Sequence, residues 1–501
     1  MPFSSLPEDV LLNIFKIILS EHKKDPTLVE QMTPIAMRLS QISPLTRRTV
    51  RHAPLLWTSI DGPVLRNAYR LQTHLQLSGQ RQLDISTDHY QSAPIFLHLA
   101  PLLTHLHRWR RLHLWSIRED EVERILAALQ GLNPPILEEL FIMLEEDARL
   151  PPRKFSVFQA GTPSLKELRL YRVVCLPATT HTLTHLKLKN MAFQRSMLTY
   201  SEFVVMIAKM KSLTHIELEG TVVAPRPSGP FTPIIFPKLY SVTLNMEENE
   251  DEFKYFDEDE GNPYYVDMLR LFCRSPVTSL RVLRPTSRAG SPIFSEMRFN
   301  HQVYFQNVTH LFWEVPMNPE DALALIGALP SVEYVCMDEP LDAILDVLLD
   351  EVNLDDVLDI YHDELELAGG EVLWPHMHTF YWAPANLPKA RQFVQRRIDQ
   401  GKPLRELWMR RIFQPTGEER ALWMQHIYTQ PTREEDELWM RRMWTPPTGE
   451  DIEWLERNVK LKWVQHGNGC LACAGVLLLC YKKIPRVKSV SVSKFLRATC
   501  A

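Results

Sequence analysis

The sequence predicts an α/β protein in which a small helical segment precedes a long series of strand–helix units. Two observations carry this prediction: an N-terminal helix with an unusually wide apolar arc, and a short apolar motif that recurs eleven times through the middle of the chain. A chain of 501 residues is too long for one compact core unless it forms an extended array of repeats.

Composition and charge are those of an ordinary soluble protein, with 45% hydrophobic and 23% charged residues. The net charge of −5 and the lack of a strongly basic stretch argue against a nucleic-acid partner. The chain starts without a secretory signal, and its seven cysteines are scattered, unlike a disulfide framework. We therefore expect a cytoplasmic or nuclear protein without membrane attachment.

The first predicted element is a helix over residues 4–20, SSLPEDVLLNIFKIILS. Ser5 and Glu8 have the spacing of a capping box, and Pro7 suits a first helical turn. On a helical wheel the apolar side chains cover an arc of about 220°, whereas a surface helix typically shows a stripe somewhat over about 100° wide. A small module cannot cover the whole arc, so part of it is expected to face a protein partner.

Residues 35–60 continue the helical segment. Apolar residues at helical spacings, interrupted at Pro44, predict two or three short helices that end near Pro54 and Trp57. We assign residues 1–62 to one small domain and residues 63–105 to a connecting segment.

The recurring motif is L-x-x-L-x-L, with any large apolar residue accepted at each L. Copies begin at residues 109, 137, 165, 183, 213, 239, 277, 308, 332, 377 and 404. Most intervals bracket the period of about 20–29 residues that is typical of leucine-rich repeats, and each copy ends with the alternation of a short strand. The pattern predicts an irregular α/β leucine-rich-repeat solenoid over residues 106–410, with parallel strands; the alternative is chance recurrence of a permissive pattern.

Helical patterns fill four of the intervals between copies, with the sequences EDEVERILAALQGL, SEFVVMIAKM, YYVDMLRLFC and NPEDALALIGAL. The asparagine or cysteine that leucine-rich repeats usually carry, eight positions after the first apolar residue, is missing. The residues found there are Ile117, Val173, Met191 and Thr221. We therefore expect an array without a continuous asparagine ladder.

Outward-facing strand positions are the candidates for binding a protein target. These residues are His113, Arg169, Lys187, Glu217 and Thr243. For any single one of them, the alternative is an ordinary solvated strand face.

The N-terminal sequence resembles a known family. LPEDVLLNIFKII, followed by LSQIS, TRR and APLLWTSI, resembles the F-box in the form common in basidiomycete fungal proteins, where an irregular leucine-rich-repeat-like array typically follows. The resemblance implies that residues 1–62 form an F-box domain that docks on a Skp-type adaptor and, through it, on a cullin. The adaptor-facing surface carries over to Leu6, Pro7, Val10, Leu11, Ile14, Phe15, Ile42 and Trp57.

The function implied by the resemblance is that of a substrate-recognition subunit of an SCF-type ubiquitin ligase. Such a subunit does no chemistry, because it only raises the effective concentration of its target near a ubiquitin-charged enzyme. Residues 42–46 lack the Cys and Trp that family members commonly carry there. The alternative is therefore a leucine-rich-repeat scaffold that binds a protein without a ubiquitin-ligase role.

No motif for catalysis or cofactor binding was found, so neither an enzyme nor a cofactor is expected. The sequence has no glycine-rich phosphate loop, nucleophile elbow or H-E-x-x-H zinc motif. The acidic run over residues 245–265 lacks EF-hand spacing and is interpreted as a solvated insertion. The acidic segment 338–365 is interpreted as a solvated helix face, with a basic partner as the alternative.

The C-terminal part carries a second, shorter repeat. Pro415, Pro431 and Pro447 are sixteen residues apart and open units that contain Trp423, Trp439 and Trp454. We interpret residues 411–465 as tandem copies of a terminal helical unit that closes the array, with a Trp-lined peptide-binding surface as the alternative. Residues 466–501 form an apolar and then basic tail, expected to be packed or poorly ordered; membrane association through lipidated cysteines is the alternative.

Overall fold

The chain is a mixed α/β protein built around open parallel β-sheet, as a computed structural model shows. The structure describes residues 7–22, 35–87, 99–145, 155–178, 180–189, 198–224, 226, 231, 233–245, 264–283, 305–314, 319–337, 374–382, 387–410 and 450–464. The chain divides into two compact units, Met1–Ser228 with Arg486–Ala501, and Gly229–Pro485. Each unit is described by itself.

The first unit begins with a small helical module. Its helices are α1 (Glu8–His22), α2 (Ile35–Ile42) and α3 (Pro44–Arg51), followed by a 3₁₀ turn (Pro54–Trp57). Ser43 separates α2 from α3 because its hydroxyl caps the α3 N-terminus, accepting a hydrogen bond from the Thr46 amide in a full capping box. The break predicted at Pro44 is therefore confirmed.

The rest of the first unit alternates strands and helices. Its elements are β1 (Ser59–Ile60), α4 (Gly62–Leu65), α5 (Ala68–Leu77), β2 (Leu83–Ser86), a 3₁₀ helix (Ala100–Arg108), β3 (Trp109–Ile117), α6 (Glu119–Gln130), β4 (Glu139–Leu144), β5 (Phe155–Val157), β6 (Glu167–Tyr171), β7 (Cys175–Pro177), β8 (His185–Lys189), α7 (Tyr200–Ala208) and β9 (His215–Glu219). The strand order is β1-β2-β3-β4-β6-β8-β9, all parallel, and β5 pairs with β7 separately.

The second unit repeats the same plan. Its elements are β10 (Ser241–Asn245), α8 (Tyr264–Phe272), β11 (Ser279–Leu283), β12 (His310–Trp313), α9 (Pro319–Ala328), β13 (Tyr334–Met337), β14 (Thr379–Trp382), α10 (Leu387–Asp399), β15 (Glu406–Arg410), α11 (Glu450–Asn458) and β16 (Lys460–Val464). These strands pair in sequence order and are parallel throughout.

All eleven copies of the apolar motif end on a strand of the parallel sheet, which confirms the strand prediction. In the copy at Leu165, Leu168 and Leu170, all three apolar side chains are completely buried. The four helices predicted in the intervals are α6, α7, α8 and α9. Parallel strands covered by helices need apolar residues on the covered side, and for this reason the apolar motif predicts the positions of the strands.

Two groups of strands carry no motif and were not predicted, namely β1 with β2 and the small β5–β7 pair. At the expected asparagine positions, Ile117, Val173 and Thr221 are buried, whereas Met191 lies outside the described residues. The acidic segment 338–365, the first two Trp units and the tail 466–501 also lie outside the described part of the chain. The third Trp unit forms α11 and β16.

The buried His74 of α5 makes the stability of the first unit depend on pH. His74 packs edge-on against Trp57, at 5.0 Å between ring centroids, and burial lowers the pKa of His74 to about 4. An unfolded chain holds the His74 proton up to about pH 6.5, so it binds more protons than the folded chain between pH 6.5 and 4. We therefore expect acidification from pH 7 to pH 5 to lower the free energy of unfolding by about 2 kcal/mol through this group.

Chemical denaturation at pH 7 and pH 5 measures this effect. His74→Phe should reduce the difference between the two pH values by about 2 kcal/mol, because it keeps the ring and removes the titration. Burial also lowers the pKa of His215, so part of the pH dependence should remain. His52→Phe, at an exposed histidine of the first unit, is the matched control and should leave the difference near that of the wild type. An unchanged pH dependence in His74→Phe would contradict the assignment.

Candidate functional site

Helix α1 carries two adjoining apolar stripes with different environments. Leu11 and Phe15 are completely buried in the core of the helical module, together with Leu39, Val50 and Trp57. The second stripe contains Val10, Ile14 and Ile17, which lie along one helix face because they are spaced i, i+4, i+7. Val10 is 37% and Ile17 52% exposed, while Ile14 is half-buried.

Two further apolar residues of the module are exposed. Ile42 at the end of α2 and Leu55 in the 3₁₀ turn each keep 52% of their surface accessible. We call Val10, Ile14, Ile17, Ile42 and Leu55 the apolar module surface. Single exposed apolar residues are ordinary, but four exposed and one half-buried on so small a module are typical of an interaction surface.

The predicted adaptor-facing residues therefore fall into two groups. Pro7, Val10 and Ile42 are exposed, and Ile14 is half-buried. Leu11, Phe15 and Trp57, which the sequence also assigned to the adaptor, are at most 3% exposed and belong to the module core. The Trp57 indole N–H donates to the Val50 backbone oxygen at 2.8 Å. Leu6 lies outside the described residues.

Ile17 and Leu55 were not predicted to belong to this surface. The wheel pattern contained a signal for Ile17, because it follows Val10 and Ile14 at helical spacing. The sequence contained no signal for Leu55, because its exposure follows from the neighbouring Leu56 and Trp57, which face the core.

A second candidate site is the outward face of the parallel strands. In each motif copy the fifth residue points away from the buried side and stands beside the fifth residue of the next copy. In the first unit this row is His113, Phe141, Arg169, Lys187 and Glu217. Four predicted target-binding residues thus lie in one continuous row. The fifth, Thr243, occupies the same position on β10 of the second unit.

The charged side chains of the first row make ion pairs within the chain, and His113 contacts one of the carboxylates involved. Glu139 contacts Arg111 at 3.1 Å, His113 at 2.9 Å and Arg169 at 3.8 Å. Although burial opposes ionisation, these three groups hold the pKa of Glu139 below its ordinary value. The Glu139 carboxylate therefore joins the outward residues of three neighbouring strands.

A similar arrangement follows on β8 and β9. Lys187 contacts Glu217 at 2.7 Å and Glu219 at 3.4 Å, and Lys189 also pairs with Glu219. Although burial opposes the charge, Glu217 and Glu219 hold the pKa of Lys187 above its ordinary value.

An aromatic side chain, Phe141, interrupts the charged row and is only 2% exposed. The half-buried Trp115 on β3 and Tyr171 on β6, each two residues beyond the row, pack against it, and we call these three residues the aromatic patch. The ring centroids of Trp115 and Phe141 are 4.1 Å apart, and those of Phe141 and Tyr171 are 5.0 Å apart. Lys187 Nζ lies 5.6 Å from the centre of the Tyr171 ring. The sequence analysis did not select these residues, although Phe141 is a fifth residue of the motif.

The corresponding row of the second unit is aromatic and largely buried. It runs Thr243, Arg281, Phe312, Cys336, Tyr381, Trp408 and Lys462. Phe312, Cys336 and Tyr381 are at most 6% exposed. Arg281 lies over the Phe312 ring at 4.9 Å, and Lys462 Nζ lies over Trp408 at 4.1 Å. Apart from Thr243, the residues of this row were not predicted as candidate site residues, although Arg281, Phe312, Cys336, Tyr381 and Trp408 each occupy the fifth motif position.

Among the described residues, no group of three or more His, Cys, Asp and Glu side chains has an arrangement that could hold a metal ion. In the same part of the chain, no helix has the length and apolar character needed to cross a bilayer. A scan against models of protein families finds no match, and a search of curated proteins finds none either.

Proposed function

We propose that this chain is a substrate-recognition subunit of an SCF-type ubiquitin ligase. In this proposal the helical module is an F-box that docks on a Skp-type adaptor, and through it on a cullin. The strand–helix units form an irregular leucine-rich-repeat solenoid whose outward strand face holds a protein target. The chain itself supplies no catalytic group, and ubiquitin transfer is accelerated because the target is held near the charged enzyme.

The observation that carries the proposal is the second apolar stripe of α1. Leu11, Phe15 and Trp57 close the core of the module, and Ile14 packs partly against it, whereas Val10 and Ile17 keep much of their apolar surface exposed. A helix that is apolar on two adjoining faces suits two partners, its own module and a surface from another chain. The F-box resemblance of residues 6–57 supplies the identity of that second partner.

Capture by a purified Skp-type adaptor tests the proposal. Val10→Asp and Ile42→Asp should each reduce capture of the full chain at least tenfold, because each places a charge in a desolvated apolar contact. Both side chains are exposed, so the melting temperature should stay near that of the wild type. Val205→Asp is the matched control, since Val205 is a 57% exposed valine on α7, outside the module.

Two results would contradict the proposal: failure of the wild-type chain to capture the adaptor, or full capture by both module variants. In the first case a protein-binding scaffold without a ubiquitin-ligase role becomes the better account, because the strand face would still be available for a target.

A further inference from the structure

The aromatic patch is held in place by the backbone around Trp115. Strand β3 shifts register against β4 between Leu114 and Ile117, and Ser116 within this bulge has a left-handed φ of 46°. A bulge of this kind re-aims the side chain beside it. The Trp115 amide donates to Thr87 Oγ1 at 2.7 Å, and the indole N–H donates to Ser86 Oγ at 3.2 Å. The indole is therefore oriented before any partner arrives.

A second left-handed residue stands directly after Tyr171. Arg172 has a φ of 62°, and its amide donates to the Lys189 backbone oxygen at 2.9 Å. Left-handed backbone at residues other than glycine costs about 1–3 kcal/mol and concentrates at functional sites. Here Ser116 and Arg172 directly follow the two half-buried aromatic side chains of the patch, Trp115 and Tyr171, and fix the course of the backbone beside them.

The surroundings of the patch favour a neutral occupant. Glu139 is engaged by Arg111, His113 and Arg169, and Lys187 is engaged by Glu217 and Glu219. An incoming charged group would have to displace one of these contacts, whereas an apolar group gains contact area on Trp115 and Tyr171 without breaking any. The patch spans three adjacent strands, about 10 Å, which suits one bulky side chain rather than the row of anchors on a helix.

We propose that the aromatic patch is the anchor site for one large apolar side chain in an extended segment of the protein target. This inference rests on the proposed function only in assigning target binding to the strand face. The paired charges position the patch and give little affinity of their own, so binding should depend weakly on salt.

Selection from a phage-displayed library of random dodecapeptides on the full-length chain tests this proposal. Enriched peptides should share one large apolar residue, and the most enriched sequence is then synthesised as the probe. Trp115→Ala and Tyr171→Ser should each weaken binding of that peptide at least tenfold, and Trp115→Phe less than either. Raising NaCl from 0.1 to 0.5 M should change Kd less than threefold.

Tyr69→Ser is the matched control, because Tyr69 is an 80% exposed tyrosine on α5, and it should bind the peptide normally. If Trp115→Ala lowers the melting temperature, the peptide affinities of Tyr171→Ser and Trp115→Phe are compared with that of the wild type instead. The proposal is overturned if no peptide is enriched, if the patch variants bind as the wild type does, or if binding collapses with salt. Adaptor capture depends on the apolar module surface and peptide binding on the aromatic patch. A chain that binds the peptide but does not capture the adaptor would therefore contradict the proposed function and leave the patch proposal standing.

Discussion

Replacing Trp57 by alanine is expected to lower the free energy of unfolding of the first unit by about 3–5 kcal/mol. The Trp57 side chain is 3% exposed, packs on His74 and donates its indole N–H to the Val50 backbone oxygen. Truncation leaves a cavity in a small core and removes the donor of a buried carbonyl, and both effects destabilise. Thermal and urea unfolding of the full chain measure the loss.

Trp57→Ala also tests whether Trp57 is a core residue of the module or a residue that contacts the adaptor. Trp57→Ala should lose adaptor capture together with its folded module, whereas Ile42→Asp should lose capture with an unchanged melting temperature. Trp57→Phe retains most of the packing and should recover the larger part of the stability. A Trp57→Ala protein that melts normally but fails to bind the adaptor would show that Trp57 is a contact residue after all.

The second large effect is expected at Trp374, in the turn that leads into β14. Trp374 is 1% exposed, and its indole N–H donates to the Leu329 backbone oxygen at 3.0 Å. Its own backbone oxygen accepts from Arg397 Nη1 at 3.2 Å, while Arg397 Nη2 donates to the Met377 oxygen at 2.6 Å. Trp374→Ala should lower the free energy of unfolding of the second unit by about 3–5 kcal/mol.

Urea unfolding of Trp374→Ala beside Trp374→Phe checks this expectation. The phenylalanine variant loses chiefly the hydrogen bond to Leu329 and should cost only about 1–2 kcal/mol. A cost of less than about 1 kcal/mol for the alanine variant would contradict the role assigned to Trp374.

The strands could be predicted from the sequence because their covered side has a simple requirement. Leu186 and Leu188 of β8, with Leu183 just before it, are buried on the covered side of a parallel strand, where apolar side chains are accommodated. The apolar positions of the motif are therefore the buried positions of the strand. Strands β5 and β7 lie outside the main sheet and carry no such motif, so they were missed.

The outward contacts could not be predicted, because they depend on which residues become neighbours in register. Glu139 reads as one exposed acidic residue in the sequence, yet it contacts His113 from the preceding strand and Arg169 from the following one. The bulge at Ser116 that orients Trp115 has no distinguishing sequence signal. Trp57 was assigned to a partner surface through the F-box resemblance, and the sequence alone does not show that its side chain is buried in the module core.

Hydrogen exchange of the full chain, with and without a purified Skp-type adaptor, tests whether the helical module docks on the adaptor. Docking there should slow exchange over residues 8–17 and 36–57, which contain the apolar module surface, and leave exchange in β3, β4, β6, β8 and β9 unchanged. Unchanged exchange throughout the chain, or protection confined to the strands, would contradict adaptor docking on the helical module.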